Sequence, residues 1–171
     1  MEPNKNRLTG FAPVFSADSK MLILGSMPGE ESLRLGQYYA NPRNAFWRII
    51  AKLTGNESEL PYERRLKMLD DQCIALWDVL HSCRRSGSLD SAIETSSAKP
   101  NDFDSFLTQN PRIRCIYFNG AFAENCYRKN VLPNLPPQLA DIPILRLPST
   151  SPANASLGFE AKLRAWQAIF E

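Results

Sequence analysis

The chain has 171 residues, 43% of them hydrophobic and 22% charged, which is enough apolar surface for one domain-sized core and a charge density that excludes disorder. The formal net charge of +2 is too small to hold a polyanion by bulk attraction, so nucleic-acid binding would need a local basic face. No apolar run reaches the length of a membrane span, and the opening MEPNKNRLTGFAPVF lacks the basic-then-apolar plan of a secretory leader. A soluble, cytoplasmic, single domain over residues 1–171 is therefore expected.

Taken in chain order, Met21-Leu22-Ile23-Leu24 is the first short apolar run that reads as a buried strand. Asn41-Pro42 then looks like a helix entry, with Asn as cap and Pro at the first helical position. Phe46, Trp47, Ile49, Ile50 and Leu53 follow at helical spacing, and Gly55 closes the helix. Pro61 to Leu69 predicts a second helix and Cys73 to Trp77 a second strand. A short helix is predicted from Asn101 or Asp102 to Leu107. Ile113 to Phe118 predicts a third strand, and Ala121 to Lys129 a helix. Ile142 to Leu147 predicts a fourth strand, with Arg114 and Arg146 marking partial exposure of the last two. Phe159 to Phe170 predicts the last helix, entered through a cap at Asn154 or Ser156, with Leu163, Trp166 and Ile169 or Phe170 inward. Strands alternating with helices imply a parallel sheet covered on both faces.

In such sheets ligands sit beyond the carboxyl ends of the strands. The corresponding loops are Gly25 to Gly29, Asp78 to Ser88, Asn119-Gly120 and Pro148 to Ala155, all rich in polar or backbone-exposing residues. GSMPG suits a tight turn that aims N–H groups at a ligand, though it also reads as an ordinary turn. It lacks the phosphate-loop pattern. Trp47 reads as core, whereas at least one of Tyr38 and Tyr39 is expected in a pocket, since aromatics stack on flat bases. Arg34, Arg43, Arg48, Arg84, Arg85 and Arg146 are candidates for a basic face, each equally readable as a solvated side chain. The stiff Pro148–Ala155 loop of small residues can grip phosphates or press into a duplex. The four cysteines form no C-x-x-C pair and His81 is the only histidine, which argues against a metal site and against a His-based nucleophile machine. Cys73 and Cys115 read as buried reduced thiols, and His81 as a cap or core residue.

These loops resemble the uracil-DNA glycosylase superfamily, and within it the hypoxanthine-DNA glycosylase branch. The resemblance rests on LILGSMPGEESL at 22–33, QYYANPRNAFW at 37–47, CRRSGSLDSAI at 83–93, YFNG at 117–120 and LPSTSPANA at 147–155. It implies an α/β three-layer sandwich with a central four-stranded parallel sheet flanked by helices, and an enzyme that flips a damaged base into a pocket and hydrolyses its N-glycosidic bond. Two positions depart from the pattern. Met27 stands where the wider superfamily often has an Asp or Asn that positions water, and Asn41 stands where the branch usually has a histidine. The resemblance passes the water-positioning task to Asn44, here the expected catalytic residue. Gly25, Ser26, Met27, Pro28, Tyr39, Phe46 and Asn119 are the expected base-binding residues, with Tyr39 or Phe46 stacking and Asn119 answering the N1–H and O6 of hypoxanthine through its amide. Such a paired reading needs the amide locked against flipping. Arg43, Ser149, Thr150, Ser151, Pro152, Ala153 and Asn154 are expected to touch DNA. No lysine lies in the matching blocks, Lys99 and Lys129 reading as solvated, so a hydrolytic monomer without metal or cofactor is expected, acting on DNA that carries a deaminated base. A uracil or thymine mismatch glycosylase, an inactive damage-binding module and a small-molecule nucleosidase are the competing readings.

Overall fold

The computed structural model describes residues 7–171. Its strands are β1 (Arg7–Thr9), β2 (Met21–Gly25), β3 (Ile74–Asp78), β4 (Leu80–Arg85), β5 (Ile93–Pro100), β6 (Cys115–Asn119) and β7 (Ile144–Leu147). Its helices are α1 (Glu30–Leu35), α2 (Phe46–Thr54), α3 (Tyr62–Asp71), α4 (Phe103–Gln109), α5 (Ala121–Asn130), the short α6 (Pro137–Ala140) and α7 (Phe159–Trp166). A parallel sheet in the order β3-β2-β6-β7 forms the middle layer, and its strands are the four apolar runs of the sequence.

Alternation along β2 sorts the core. Leu22 and Leu24 face a layer built from Phe103 and Phe106 of α4 and Ala123 and Tyr127 of α5. Ile23 faces the opposite layer, with Phe46, Ile49 and Ile50 of α2, Leu69 of α3 and Leu163 and Trp166 of α7. Successive strand residues point to opposite faces, so one strand fills two cores and both layers are fixed by it. Trp47 is core, as read. The last helix turns inward through Leu163, Trp166 and Ile169, while Phe170 stays 42% exposed.

Several expectations are corrected. The stretch from Asp78 to Ser88 is not a loop: β4 occupies most of it and pairs antiparallel with β1 and β5 in a second sheet. Its residues, LHSCRR, carry too much polarity to read as a strand, because Arg84 is neutralised by Glu94 across the ladder, at 2.6 Å, and Arg85 is drawn inside. The helix foreseen from Asn41-Pro42 starts at Phe46. Residues 41–44 form a separate turn, where Asn41 Oδ1 accepts from Arg43 N at 3.0 Å and Asn41 O from Asn44 N at 2.9 Å. The helix does close at Gly55, whose φ of 69° is the left-handed conformation glycine adopts without a Cβ clash. Gly158, not Asn154 or Ser156, precedes α7. His81 is exposed on β4, neither cap nor core. Cys73 and Cys115 are half-buried, while Cys83 and Cys126 are the buried thiols. No helix of the described residues is long and apolar enough to cross a membrane.

Candidate active site

Parallel register brings the strand ends together. Gly25 lies beside Asp78, Leu24 beside Phe118, and Asn119 beside Leu147. From β2 the chain passes to β3 on one side, and the later crossover places β6 on the other, so a crevice opens between the loops that diverge at β2. That crevice is a cleft of about 1240 Å³, walled by the 25–29 loop, residues 41–44, the 88–91 turn and the 146–154 loop.

Two glycines are required by close approach. A Cβ on Gly25 would collide with Asp78 Oδ1 and lie 2.9 Å from Tyr39 Oη. Gly120 has φ of 97°, and a Cβ there would lie 3.0 Å from Ser149 Cβ. Met27 is 7% exposed and packs with the α4/α5 layer, so its side chain serves the core and offers the cleft no polar atom. Pro28 presents its carbonyl to Arg85 Nη2 at 2.7 Å.

Tyr39 holds a positive φ of 53°, a conformation that persists in a non-glycine residue only when its surroundings enforce it. Two contacts do so. Its ring stacks on Phe46 with centroids 4.1 Å apart, and its hydroxyl accepts from Asn119 Nδ2 at 3.1 Å. Phe46 is fully buried beneath it, so of the two expected stacking residues only Tyr39 lines the cleft. Tyr38 is buried too and donates its hydroxyl to Ala12 O at 2.8 Å. Burial, then the nearby Asp78 carboxylate, pushes the Tyr39 phenol above the ordinary tyrosine range, so it stays a neutral hydroxyl.

Asn119 is pinned. Its Oδ1 accepts from Thr150 N at 2.9 Å, and its Nδ2 donates to Thr150 Oγ1 at 2.9 Å as well as to Tyr39. The backbone N–H can only donate, so it fixes which end of the amide is oxygen. Both amide protons are spent, and one lone pair on Oδ1 remains. The paired donor-and-acceptor contact foreseen for Asn119 is therefore not available in this arrangement. Asn44 has its own bond: its Oδ1 accepts from Phe46 N at 2.9 Å in a local turn just before α2, leaving a second lone pair and the amide protons on the cleft wall.

The 148–155 loop is tied down along its length. Pro148 O accepts from Trp166 Nε1, Thr150 O from Ala45 N, Ser149 O from Asn154 Nδ2 and Asn154 O from Lys162 Nζ, at 2.9 to 3.1 Å. Thr150 is 1% exposed, and its hydroxyl and N–H turn inward to Asn119, so it anchors the loop and presents no side-chain group to a DNA backbone. Ser149, Ser151, Pro152 and Asn154 are partly exposed, and Ala153 stands out at the tip.

Residues 12–170 match the Uracil DNA glycosylase superfamily. The chain belongs to that superfamily. A hypoxanthine DNA glycosylase from Methanosarcina acetivorans is 43% identical over 112 residues, covering 65% of this chain and 70% of that protein. One from Methanosarcina barkeri is 37% identical over the same shares. A solution NMR structure of a protein from Methanosarcina acetivorans, described as a candidate uracil DNA glycosylase, superposes with a TM-score of 0.79 at 36% identity, covering 96% of both chains.

For a glycosylase, the cleft floor also holds acids that fell within segments expected to carry function but were given no individual role from the sequence. Asp78 is 4% exposed, and its Oδ2 has no hydrogen-bond partner among the described residues. Asp90 accepts from Ser26 Oγ at 2.5 Å. Burial first, then the Asp90 charge, push the Asp78 carboxyl up to about 7, against a smaller pull from Arg85. Burial also raises Asp90, while Ser26 and Arg85 hold it back. The signal for Asp78 was a lone acid closing an apolar strand at the binding end of the sheet.

The arginines divide. Arg85 is 5% exposed and donates to Gly87 O and Pro28 O, so it clamps two loops of the glycosylase and is removed from the basic face. Arg34 pairs with Glu31 and Arg84 with Glu94, and Arg48 lies over the Phe159 ring. Arg43 and Arg146 stand at the cleft itself, Arg146 oriented by Glu124 at 2.9 Å. Lys99 and Lys129 are exposed, away from the cleft. Among the described residues no three His, Cys, Asp or Glu side chains gather as a metal site would need.

Proposed function

We propose that this glycosylase releases hypoxanthine from DNA by hydrolysis, as a cytoplasmic monomer without metal or cofactor, leaving an abasic site. The observation that carries the reading is the pinned Asn119 amide. Its one free acceptor on Oδ1 suits the N1–H of a flipped hypoxanthine. Adenine carries a bare acceptor at N1, and rotation of the amide to answer it would break the bonds to Thr150 and Tyr39. An unmatched buried polar pair discriminates far better than a change of shape. Normal adenine is thereby refused, while its deamination product is accepted. Uracil carries a similar N3–H, so the size of the cleft and stacking on Tyr39 decide between a bicyclic and a monocyclic base. The names of the two Methanosarcina relatives support the bicyclic one.

Cleavage builds positive charge on the sugar and negative charge on the base. Asn44 holds the attacking water through its second Oδ1 lone pair; an amide takes up no proton at neutral pH, so its contribution is position. Ser26 and the backbone of Gly25, Met27 and Pro28 border the base. Arg43, Ser149, Ser151 and the 152–154 tip hold the strand beside it. The test is base release from duplexes containing inosine, uracil or a thymine mismatch, and from free deoxyinosine, all with chelator present. Release of hypoxanthine from DNA, faster than of uracil and absent from the nucleoside, is expected. Faster uracil release, or dependence on metal, overturns the reading.

A further inference from the structure

Asn44 positions water but moves no proton, and the departing purine needs one. Hypoxanthine leaving with the electron pair of the broken bond is an anion at N9, and protonation at N7 makes it neutral. Among the groups that line the cleft, the hydroxyls of Ser26 and Thr150 and the Tyr39 phenol are too weakly acidic to give a proton at neutral pH, Glu30 is exposed to water at the rim, and Glu31 is held ionised by Arg34. Asp90 is engaged by Ser26, at 2.5 Å. Asp78 differs from all of them. It ends β3 on the cleft floor, nearly buried, with Oδ1 against Gly25 beside the Tyr39 hydroxyl and Oδ2 enclosed without a partner. A buried carboxylate lacking hydrogen bonds is strongly disfavoured, and the neutral acid can carry its O–H on Oδ1, the oxygen that faces Gly25 and the Tyr39 hydroxyl at the cleft.

We propose that Asp78 is the general acid of the reaction, donating its carboxyl proton to N7 of the departing purine as the bond from C1′ to N9 breaks. This rests on the hypoxanthine reading above. The acid O–H bond breaks and N7–H forms, and the electron pair of the C1′–N9 bond stays with the base. The water held by Asn44 bonds to C1′ and releases its proton to solvent, from which Asp78 recovers its own. The groups facing Asp78 are Asp90 from the turn before β5, Arg85 from β4, and the phenols of Tyr38 and Tyr39. The Asp90 charge favours the neutral acid and Arg85 opposes it, so the working form persists up to about pH 7 and is lost above it.

The experiment compares single-turnover release of hypoxanthine and of its 7-deaza analogue, which has carbon in place of N7, across about pH 5 to 9. With the unaltered enzyme, release of hypoxanthine should fall about tenfold per pH unit above the Asp78 midpoint, whereas the 7-deaza base should leave slowly with no such limb. Asp78→Asn should lose about 10²–10⁴ in rate on inosine, lose the alkaline limb, and lose little further on the 7-deaza substrate. An unchanged limb on the 7-deaza substrate overturns the proposal, and that arm needs no variant. So does Asp78→Asn with near-normal release from inosine. If the unaltered enzyme releases uracil but no hypoxanthine at any pH, the substrate reading itself has failed, and this proposal with it.

Discussion

Asn44 is the proposed water-holder and also bonds Phe46 N, so one substitution tests both duties. Asn44→Ala removes the proposed water contact and the hydrogen bond to Phe46 N. Release should fall by about 10²–10³, and the fold should lose about 1 kcal/mol with the lost hydrogen bond. Single-turnover assays beside urea melts separate the two, and near-normal release in a variant of lowered stability would leave Asn44 with a structural role only. Asn119→Ala is expected to act more broadly. It deletes the proposed acceptor for the base and unties Thr150 and Tyr39, so hypoxanthine release and affinity for abasic DNA should both drop. Unchanged affinity for the abasic product would mean that the latch contributes nothing to the loop. Asn44, Tyr39 and Asn119 stood out in the sequence through residue type and surrounding motif. Asp78 did not, because a carboxyl's character here comes from lost water and a second acid twelve residues away, which no residue type displays. The spent protons of Asn119 were equally hidden, since Thr150 and Tyr39 reach it only after folding.

At the level of elements, the 148–155 loop is the clearest case of shape preset for a task. Its backbone is fastened from α7, from α2 and from within, while Ala153 stands exposed at the tip. Flipping a base costs a few kcal/mol, and a stiff tip offsets part of that by filling the gap. Replacing Pro152-Ala153-Asn154 by three glycines should lower release strongly on paired duplex and far less on single strands; equal losses would place the effect in the pocket or fold. The parallel strands were legible because a strand buried on both faces must be continuously apolar. The antiparallel sheet was not, since β4 and β5 satisfy their polar residues by pairing across the ladder, as Arg84 does with Glu94. The entry of α2 was misplaced for a related reason: Asn41 and Asn44 both carry capping chemistry, and the first spends it on a turn.

For the molecule as a whole, Asp78 links stability to pH. Its folded value of about 7 lies above the ordinary 3.8, so the folded state keeps a proton that the unfolded chain gives up in between. The resulting stability is fully present below about pH 4 and is lost as pH rises through 7. Asp78→Asn does not titrate, and at pH 8 it should be the more stable protein by on the order of a few kcal/mol, a margin that shrinks toward pH 5. Urea melts at both pH values measure it; an equal margin at both would show that the carboxyl is not linked to folding. The order of the strands has a consequence for synthesis. Met21 pairs with Ile74 on one side and with Cys115 on the other, and the amide on the second neighbour is pinned by Thr150. A nascent chain that has emerged only as far as β3 carries Asn44 and Asp78 but neither Asn119 nor the Thr150 that pins it. The central strand is still unpaired along one edge at that stage, so the cleft has only one wall. Both walls of the cleft, and the bond that fixes the amide, therefore exist only once the chain through Thr150 has been made.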